Sequence, residues 1–189
     1  MSKERSEFYS PARNIMLAIV LLGSIGCVLF GVFYRLWGAG WLLSCSVTCG
    51  LFAYHILIRF LAPAIVTAVF CKRYDFRSKW FRPKPWEGAL YAFLRVKKWK
   101  SRVLTYDPRE FSMKLHTLPE IVNNMCHAEA VHELIVLLSF SSLLFAIPFG
   151  DFAVFFTTAL LAAAIDSAFV IVQRYNRPRV VKLMERRAK

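Results

Sequence analysis

Histidine and glutamate residues cluster in one short segment of the chain, residues 126–133. If this segment is helical, Glu129 and His132 are three residues apart and share one face, and Glu133 is a near neighbour of Glu129. A histidine held by a carboxylate is the usual general-base pair, able to take a proton from a hydroxyl group. The spacing therefore makes His132 and Glu129 candidate catalytic residues.

Two other interpretations of this segment compete with a catalytic pair. His127, Glu129 and His132 could ligate zinc, but the two histidines are five residues apart, which is about 140° from each other's face in a helix. The zinc-protease pattern needs a spacing of four, so we predict no metal site. Alternatively, the carboxylates are solvated at the start of a helix, where they complement the helix dipole.

Three further polar residues, His55, Arg59 and Asp166, lie inside long apolar stretches. An unpaired arginine at bilayer depth costs at least about 2.5–3.5 kcal/mol on insertion scales, so Arg59 should have a partner. Asp166 is the natural candidate, and Glu129 and Glu133 are the others. His55 is four residues before Arg59, on the same helix face. The pair could fix helix packing or line a polar cavity for a substrate headgroup, and the sequence leaves both open.

Four apolar stretches must position these residues. They are residues 14–34, 41–70, 128–149 and 152–172. At about 1.5 Å per residue, each reaches across a hydrocarbon core of about 30 Å. Pro63 is expected to kink or end the second stretch, and a turn at residues 148–151 joins the last two. We predict an all-α integral membrane protein with about four transmembrane helices, forming a single membrane domain.

The composition excludes several classes of protein. Of 189 residues, 57% are hydrophobic, above the roughly 45–50% of soluble domains, so disorder is excluded. The five cysteines are an odd number and several lie in apolar runs, which excludes a secreted disulfide scaffold. The sequence also lacks a Walker loop and a dinucleotide fingerprint. An enzyme of this kind would be a small membrane transferase whose donor is already activated, with no cofactor of its own.

The basic residues predict the orientation in the membrane. Twenty-three of the 25 lysines and arginines fall before the first stretch, between the second and third, or after the fourth. The positive-inside rule therefore places both termini and the long connector in the cytoplasm of a multi-pass cell-membrane protein. We divide the chain into a two-helix segment (1–70), the connector (71–127), a helical hairpin (128–173) and a basic tail (174–189).

The connector between helices 2 and 3 is basic and rich in aromatic residues. Residues 72–114 carry a net charge of +9, and basic residues interleaved with aromatics can indicate nucleic-acid binding. Attachment to membrane helices instead favours the lipid headgroup zone, so we predict no nucleic-acid partner. The connector either anchors the protein at the membrane surface or binds an anionic headgroup or a phosphate-bearing cosubstrate such as coenzyme A. Its prolines predict coil and short helices.

Four motifs in order carry a family resemblance. They are Phe-Arg-Pro-Lys-Pro-Trp-Glu-Gly at residues 81–88, Lys-Trp-Lys at 98–100, Ala-Glu-Ala-Val-His at 128–132 and Gln-Arg-Tyr-Asn-Arg-Pro-Arg at 173–179. Together they resemble the glycosyl-4,4'-diaponeurosporenoate acyltransferase family of bacterial carotenoid synthesis, over about residues 72–182. The resemblance implies transfer of a fatty acyl group from acyl-CoA or another acyl thioester to a hydroxyl of a glycosylated lipid.

The resemblance also implies roles for individual residues. His132, held by Glu129, would be the catalytic base, and Arg174, Arg177 and Lys100 would lie near coenzyme A phosphates or a developing oxyanion. The site would lie at the cytoplasmic face of the bacterial membrane. The substrate-binding residues implied are Trp86, Glu87, Trp99, Lys100, Gln173, Arg174, Asn176, Arg177 and Arg179. The alternatives are a non-enzymatic lipid-binding or assembly subunit, whose polar residues are structural, and a different membrane transferase such as a methyltransferase.

Overall fold

The structure is a computed structural model that describes residues 11–103 and 108–187, and in these ranges it is helical without strands. Lys3, Arg5 and Lys189, which contribute to the charge pattern, lie outside them. The α-helices are α1 (Pro11–Trp37), α2 (Gly40–Phe70), α3 (Glu87–Phe93), α4 (Val96–Trp99), α5 (Leu118–Phe140), α6 (Ala146–Phe149) and α7 (Phe152–Arg187). Short 3-10 turns lie at Lys100–Arg102, Pro108–Phe111 and Ser141–Phe145.

Four helical segments are long and apolar enough to cross a membrane, as predicted. They are Arg13–Trp37, Gly40–Phe70, Leu118–Phe149 and Phe152–Arg187. The second was expected to kink or end at Pro63; it does not end there, because α2 continues through this proline to Phe70. In lipid the surrounding backbone hydrogen bonds favour continuing the helix. The architecture is compatible with a multi-pass membrane protein.

The third segment begins at Leu118, well before residue 128. The Thr117 side chain accepts a hydrogen bond from the backbone N–H of Glu120, and the Glu120 carboxylate accepts one from the backbone N–H of Thr117. This capping box starts the helix, and Pro119 is tolerated in the first turn. Residues 126–133 therefore lie inside α5, and the interpretation of their carboxylates as solvated charges at a helix start is wrong.

The fourth helix also extends further than its apolar stretch. α7 runs from Phe152 to Arg187 through Pro178, so the basic residues of the predicted tail lie on a continuous helix up to Arg187. The helices α5 and α7 run antiparallel and pack along their lengths. Residues separated by more than 40 positions in the sequence therefore come to the same level of the bundle.

The helices pack in the order α1, α2, α5 and α7. The contact between α1 and α2 depends on small residues. A Cβ on Gly23 would lie 3.0 Å from the backbone oxygen of Cys49, and one on Gly26 would lie 3.0 Å from the Cys49 sulfur. Small residues of this kind let membrane helices approach closely. Ile58 and Ala62 of α2 belong to a buried cluster with Val131 and Ile135 of α5, which fixes the face that α2 presents to the rest of the bundle.

Candidate active site

Two groups of charged and polar side chains join the helices. The Asp166 cluster contains the side chains of Arg59 of α2, His132 of α5 and Asp166 of α7, together with the backbone carbonyl of His55 on α2. The Glu129 cluster contains Glu87 of α3, Glu129 of α5, and Arg174 and Arg177 of α7. Buried charges are costly in an apolar medium unless they are paired, so each cluster is a specific feature of this bundle.

The Asp166 carboxylate lies at the centre of its cluster and is 1% exposed. Arg59 Nη2 donates to Asp166 Oδ2 at 2.5 Å, and His132 Nδ1 lies 2.9 Å from Asp166 Oδ1. Arg59 Nη1 donates in turn to the backbone carbonyl of His55. The predicted pairing of Arg59 with Asp166 is confirmed, and the same carboxylate also holds His132.

The predicted contact between His132 and Glu129 is wrong. His132 pairs with Asp166, and both Glu129 oxygens accept hydrogen bonds from arginines of α7. The reason is that α5 and α7 are antiparallel, so successive turns of α5 lie beside different residues of α7. The two side chains share a helix face, but Asp166 is the carboxylate opposite His132.

The His132 ring is held in a defined orientation. Phe169, one turn after Asp166 on α7, stacks on it with ring centroids 4.5 Å apart and an angle of 6° between the planes. With Nδ1 donating to Asp166, the neutral ring keeps its acceptor lone pair on Nε2. The side chain is 23% exposed. This is the arrangement that a general base requires, with one nitrogen oriented by a carboxylate and the other without a hydrogen-bond partner among the described residues.

The Glu129 cluster ties the connector to the helix bundle. Glu129 is fully buried and accepts from Arg174 Nη1 at 2.6 Å and from Arg177 Nη1. Arg174 also donates through Nε to Glu87 Oε1 at 2.9 Å. Arg177 Nη2 donates to the backbone carbonyl of Phe81. Two carboxylates neutralise two guanidinium groups, and this placement favours a structural role for Arg174, Arg177 and Glu87 over contact with donor phosphates.

Tyr91 completes this cluster on the connector side. Its hydroxyl donates to Glu87 Oε2 at 2.8 Å. Burial, followed by the hydrogen bond to Glu87, raises the pKa of Tyr91 well above its usual range. The hydroxyl therefore stays protonated and acts as a fixed donor, which helps to hold the Glu87 carboxylate toward Arg174.

Lys100 and Arg179 form a third group around the ring of Tyr175. Lys100 Nζ donates to Asn176 Oδ1 at 2.7 Å and lies 4.9 Å from the Tyr175 ring centroid. Arg179 lies 3.8 Å from the same centroid. Among the described residues, neither cation is paired with a carboxylate. We call Lys100, Tyr175, Asn176 and Arg179 the Lys100 cluster; its charges, unlike those of Arg174 and Arg177, are available to an anion.

The remaining predicted site residues take separate places. Trp86 is exposed at the start of α3, and the Trp99 indole donates to the backbone carbonyl of Leu94 at 2.8 Å. Gln173 is half-buried on α7 beside Arg174. Glu133 accepts a hydrogen bond from the Trp80 indole at 2.8 Å, so it also contacts the connector and not Arg59.

His127 and His132 have different partners. The His127 Nδ1 atom lies 2.8 Å from the Tyr74 hydroxyl, whereas His132 contacts Asp166. Within residues 11–103 and 108–187, no three His, Cys, Asp or Glu side chains come together as a metal site would require. Burial raises the pKa of Tyr74, which keeps its hydroxyl available for the contact with His127.

The Asp166 cluster lies on the connector side of the middle of the bundle. Counted along α2, Arg59 lies about 28 Å from Gly40 and about 16 Å from Phe70, where the connector begins. Asp166 lies about 24 Å from Gly150 along α7. The cluster is therefore closer to the connector than to the opposite end of the bundle.

A match to a protein-family model identifies the family of this chain. The model for glycosyl-4,4'-diaponeurosporenoate acyltransferase matches residues 77–186, more than half of the chain. The chain belongs to the glycosyl-4,4'-diaponeurosporenoate acyltransferase family. This membership supports an enzyme that transfers acyl groups, and the family name implies a glycolipid acceptor. No curated protein and no solved structure matches the chain.

The matched range covers only part of the candidate site. It includes His132, Asp166 and the whole Glu129 cluster, but it begins after α2. His55 and Arg59 therefore complete the Asp166 cluster from a helix outside the match. The helix α2 thus supplies part of the Asp166 cluster from outside the matched range.

Sequence reasoning did not find Phe169 or the contact between Asp166 and His132. Asp166 is the only charged residue between Phe152 and Val172, and the contact predicted for it was the one with Arg59. Phe169 is three residues after Asp166, which places both on one face of α7. That spacing is the signal that could have indicated an aromatic ring beside whatever Asp166 contacts.

Proposed function

We propose that the protein transfers a fatty acyl group from an acyl thioester to a hydroxyl of a glycosylated lipid, a carotenoid-glycoside-type acceptor. His132 is the general base, and Asp166 orients it. The observation that carries the proposal is the 2.9 Å contact between His132 Nδ1 and Asp166 Oδ1, with Phe169 stacked on the ring. The family membership supplies the reaction class.

The proposed reaction has two proton transfers. His132 Nε2 takes the proton from the acceptor hydroxyl as its oxygen attacks the thioester carbonyl carbon. The C–S bond then breaks, and the leaving thiolate takes the proton from the imidazolium, which returns the base to its neutral form. Asp166 stabilises the imidazolium between these steps. Arg59 balances the charge of Asp166 within the bundle, which keeps the carboxylate in place.

The position of the site suits substrates from two phases. The acceptor is a lipid and approaches along the bilayer, whereas an acyl thioester carried by coenzyme A or a carrier protein is water-soluble. We propose that the connector side faces the cytoplasm of the bacterial cell, as the distribution of basic residues favours. No resident cofactor is needed, because the thioester is already activated.

The Lys100 cluster is the proposed contact for the donor's phosphate groups. Lys100 and Arg179 carry two positive charges at one aromatic ring, and no carboxylate of the described residues neutralises them. Cations of this kind are the usual partners of phosphate in proteins. The cluster stands on the connector side, where a soluble donor arrives.

The proposed function is tested with the purified protein in lipid nanodiscs. Labelled palmitoyl-CoA is supplied with a glycosylated diaponeurosporenoate, and the product is analysed for a sugar ester. The aglycone, which lacks the sugar hydroxyls, is the matched control acceptor. We expect ester formation with the glycoside and none with the aglycone. Binding of both lipids without any acyl transfer would support the non-enzymatic lipid-binding subunit instead.

A further inference from the structure

His55 is a buried polar side chain that the proposed reaction does not use. The residue is 9% exposed. Neither ring nitrogen has a hydrogen-bond partner within the part of the chain that the structure describes. Burying unpaired polar atoms away from water costs free energy, and the large majority of buried polar atoms in proteins are paired. An apolar residue of similar size would avoid this cost, so packing alone does not explain a histidine here.

The position of His55 joins it to the site of the proposed reaction. Its backbone carbonyl accepts a hydrogen bond from Arg59, and Arg59 donates to Asp166, which holds His132. His55 precedes Arg59 by four residues on α2, so the two side chains share one face of this helix. Tyr54, its neighbour on α2, packs edge-on with ring centroids 5.5 Å apart. The unpaired ring nitrogens of His55 therefore lie on the face of α2 that carries Arg59, the residue that contacts Asp166.

The chemistry of the ring selects the kind of group that it can bind. A neutral imidazole offers one N–H donor and one nitrogen acceptor. A hydroxyl group, which also donates and accepts, matches it. An anion would meet the carboxylate of Asp166 nearby. A cation would compete with Arg59, which already balances that carboxylate.

We propose that His55 binds a sugar hydroxyl of the glycolipid acceptor and thereby positions the acceptor for His132. This inference rests on the proposed function and assigns part of acceptor recognition to α2, which lies outside the matched family range. His55 is a binding and positioning residue; it takes no proton in the reaction. A ligand that loses its sugar loses this contact.

The test combines kinetics with stability for His55→Leu, His55→Gln and the control Tyr54→Phe. His55→Leu removes both unpaired nitrogens, so we expect a thermal midpoint equal to or above wild type. Its KM for the acceptor should rise roughly tenfold, as for one lost hydrogen bond to substrate, while the KM for palmitoyl-CoA stays unchanged. His55→Gln keeps a donor and an acceptor and should restore much of the acceptor affinity.

The control variant, Tyr54→Phe, should affect stability and not acceptor binding. The Tyr54 hydroxyl is already paired with the Leu138 carbonyl at 3.0 Å and with the Ser141 hydroxyl. Tyr54→Phe should therefore lower the thermal midpoint and leave the acceptor KM unchanged. If His55→Leu instead lowers stability and leaves the acceptor KM at the wild-type value, His55 is structural or holds only a water molecule, and the inference is wrong.

A binding measurement separates this inference from the proposed function. The thermal midpoint is measured with the glycosylated lipid and with its aglycone, in the absence of any acyl donor. We expect the glycoside to stabilise wild type more than the aglycone does, and His55→Leu to lose that difference. Such binding without catalysis by wild type would contradict the proposed function alone. Catalysis with an unchanged glycoside preference in His55→Leu would contradict this inference alone.

Discussion

The ion pair of Arg59 and Asp166 predicts unequal costs for its two single substitutions. Arg59→Met leaves a carboxylate that is 1% exposed without its cation. Removing one partner of a buried pair typically costs about 3–5 kcal/mol of unfolding free energy. Asp166→Asn leaves Arg59, whose long side chain is 20% exposed and can move its charge toward more polar surroundings. We expect this substitution to cost less, roughly 1–3 kcal/mol.

The double variant should cost less than the sum of the two singles. With both charges removed, no unpaired charge remains in the bundle. Contacting residues show coupling energies of about 0.5–3 kcal/mol, and a buried pair belongs at the upper end. We expect the double substitution to be milder than the sum by about 1–3 kcal/mol.

The measurement is equilibrium unfolding by sodium dodecyl sulfate in bicelles, followed by tryptophan fluorescence. Arg59→Met combined with Ser139→Ala is the control pair, because the Ser139 hydroxyl donates only within its own helix, to Ile135. This pair should be additive within about 0.5 kcal/mol. Additive costs for Arg59 and Asp166 would refute the ion pair, and a larger cost for Asp166→Asn than for Arg59→Met would refute the burial argument.

Three further predictions concern the connector. Arg177→Met should lower the unfolding free energy by about 3–5 kcal/mol and expose the connector to protease. Unchanged stability with a raised KM for the acyl donor would instead indicate that Arg177 binds substrate. Lys100→Glu with Arg179→Glu should raise the KM for palmitoyl-CoA about tenfold or more with kcat retained, and an unchanged donor KM would remove the Lys100 cluster from the site. In intact cells, an impermeant thiol reagent should label Asp151→Cys and not Lys97→Cys; the reverse pattern would invert the proposed topology.

The four helices were predictable because each apolar stretch is long and nearly free of charge. The pairing of Arg59 with Asp166 was predictable for a related reason. Each is an isolated charge in an apolar run, and the cost of burial requires a partner. The start of α5 was misplaced because its first ten residues are only moderately apolar. The Thr-x-x-Glu signal at Thr117 and Glu120 was the available evidence for it.

The partner of His132 could not be read from spacing along the chain. Spacing on one helix shows which residues share a face, and it placed Glu129 and His132 on one face of α5. It does not show which residues of a second helix lie at each level. Arg174 is 45 positions from Glu129, and the antiparallel packing of α5 on α7 alone brings them together. The contact with Glu87, 87 positions from Arg174, depends further on the path of the connector.

The most direct test is the acyl-transfer rate of His132→Ala in nanodiscs, compared with wild type and with His127→Ala. General-base groups typically contribute about 10²–10⁴-fold. We therefore expect kcat to fall by at least 10² in His132→Ala, with the protein folded and membrane-inserted. His127 contacts Tyr74, away from Asp166, and its variant should retain most of the activity. Substantial activity in folded His132→Ala, or equal losses in both variants, would contradict the assignment of His132 as the catalytic base.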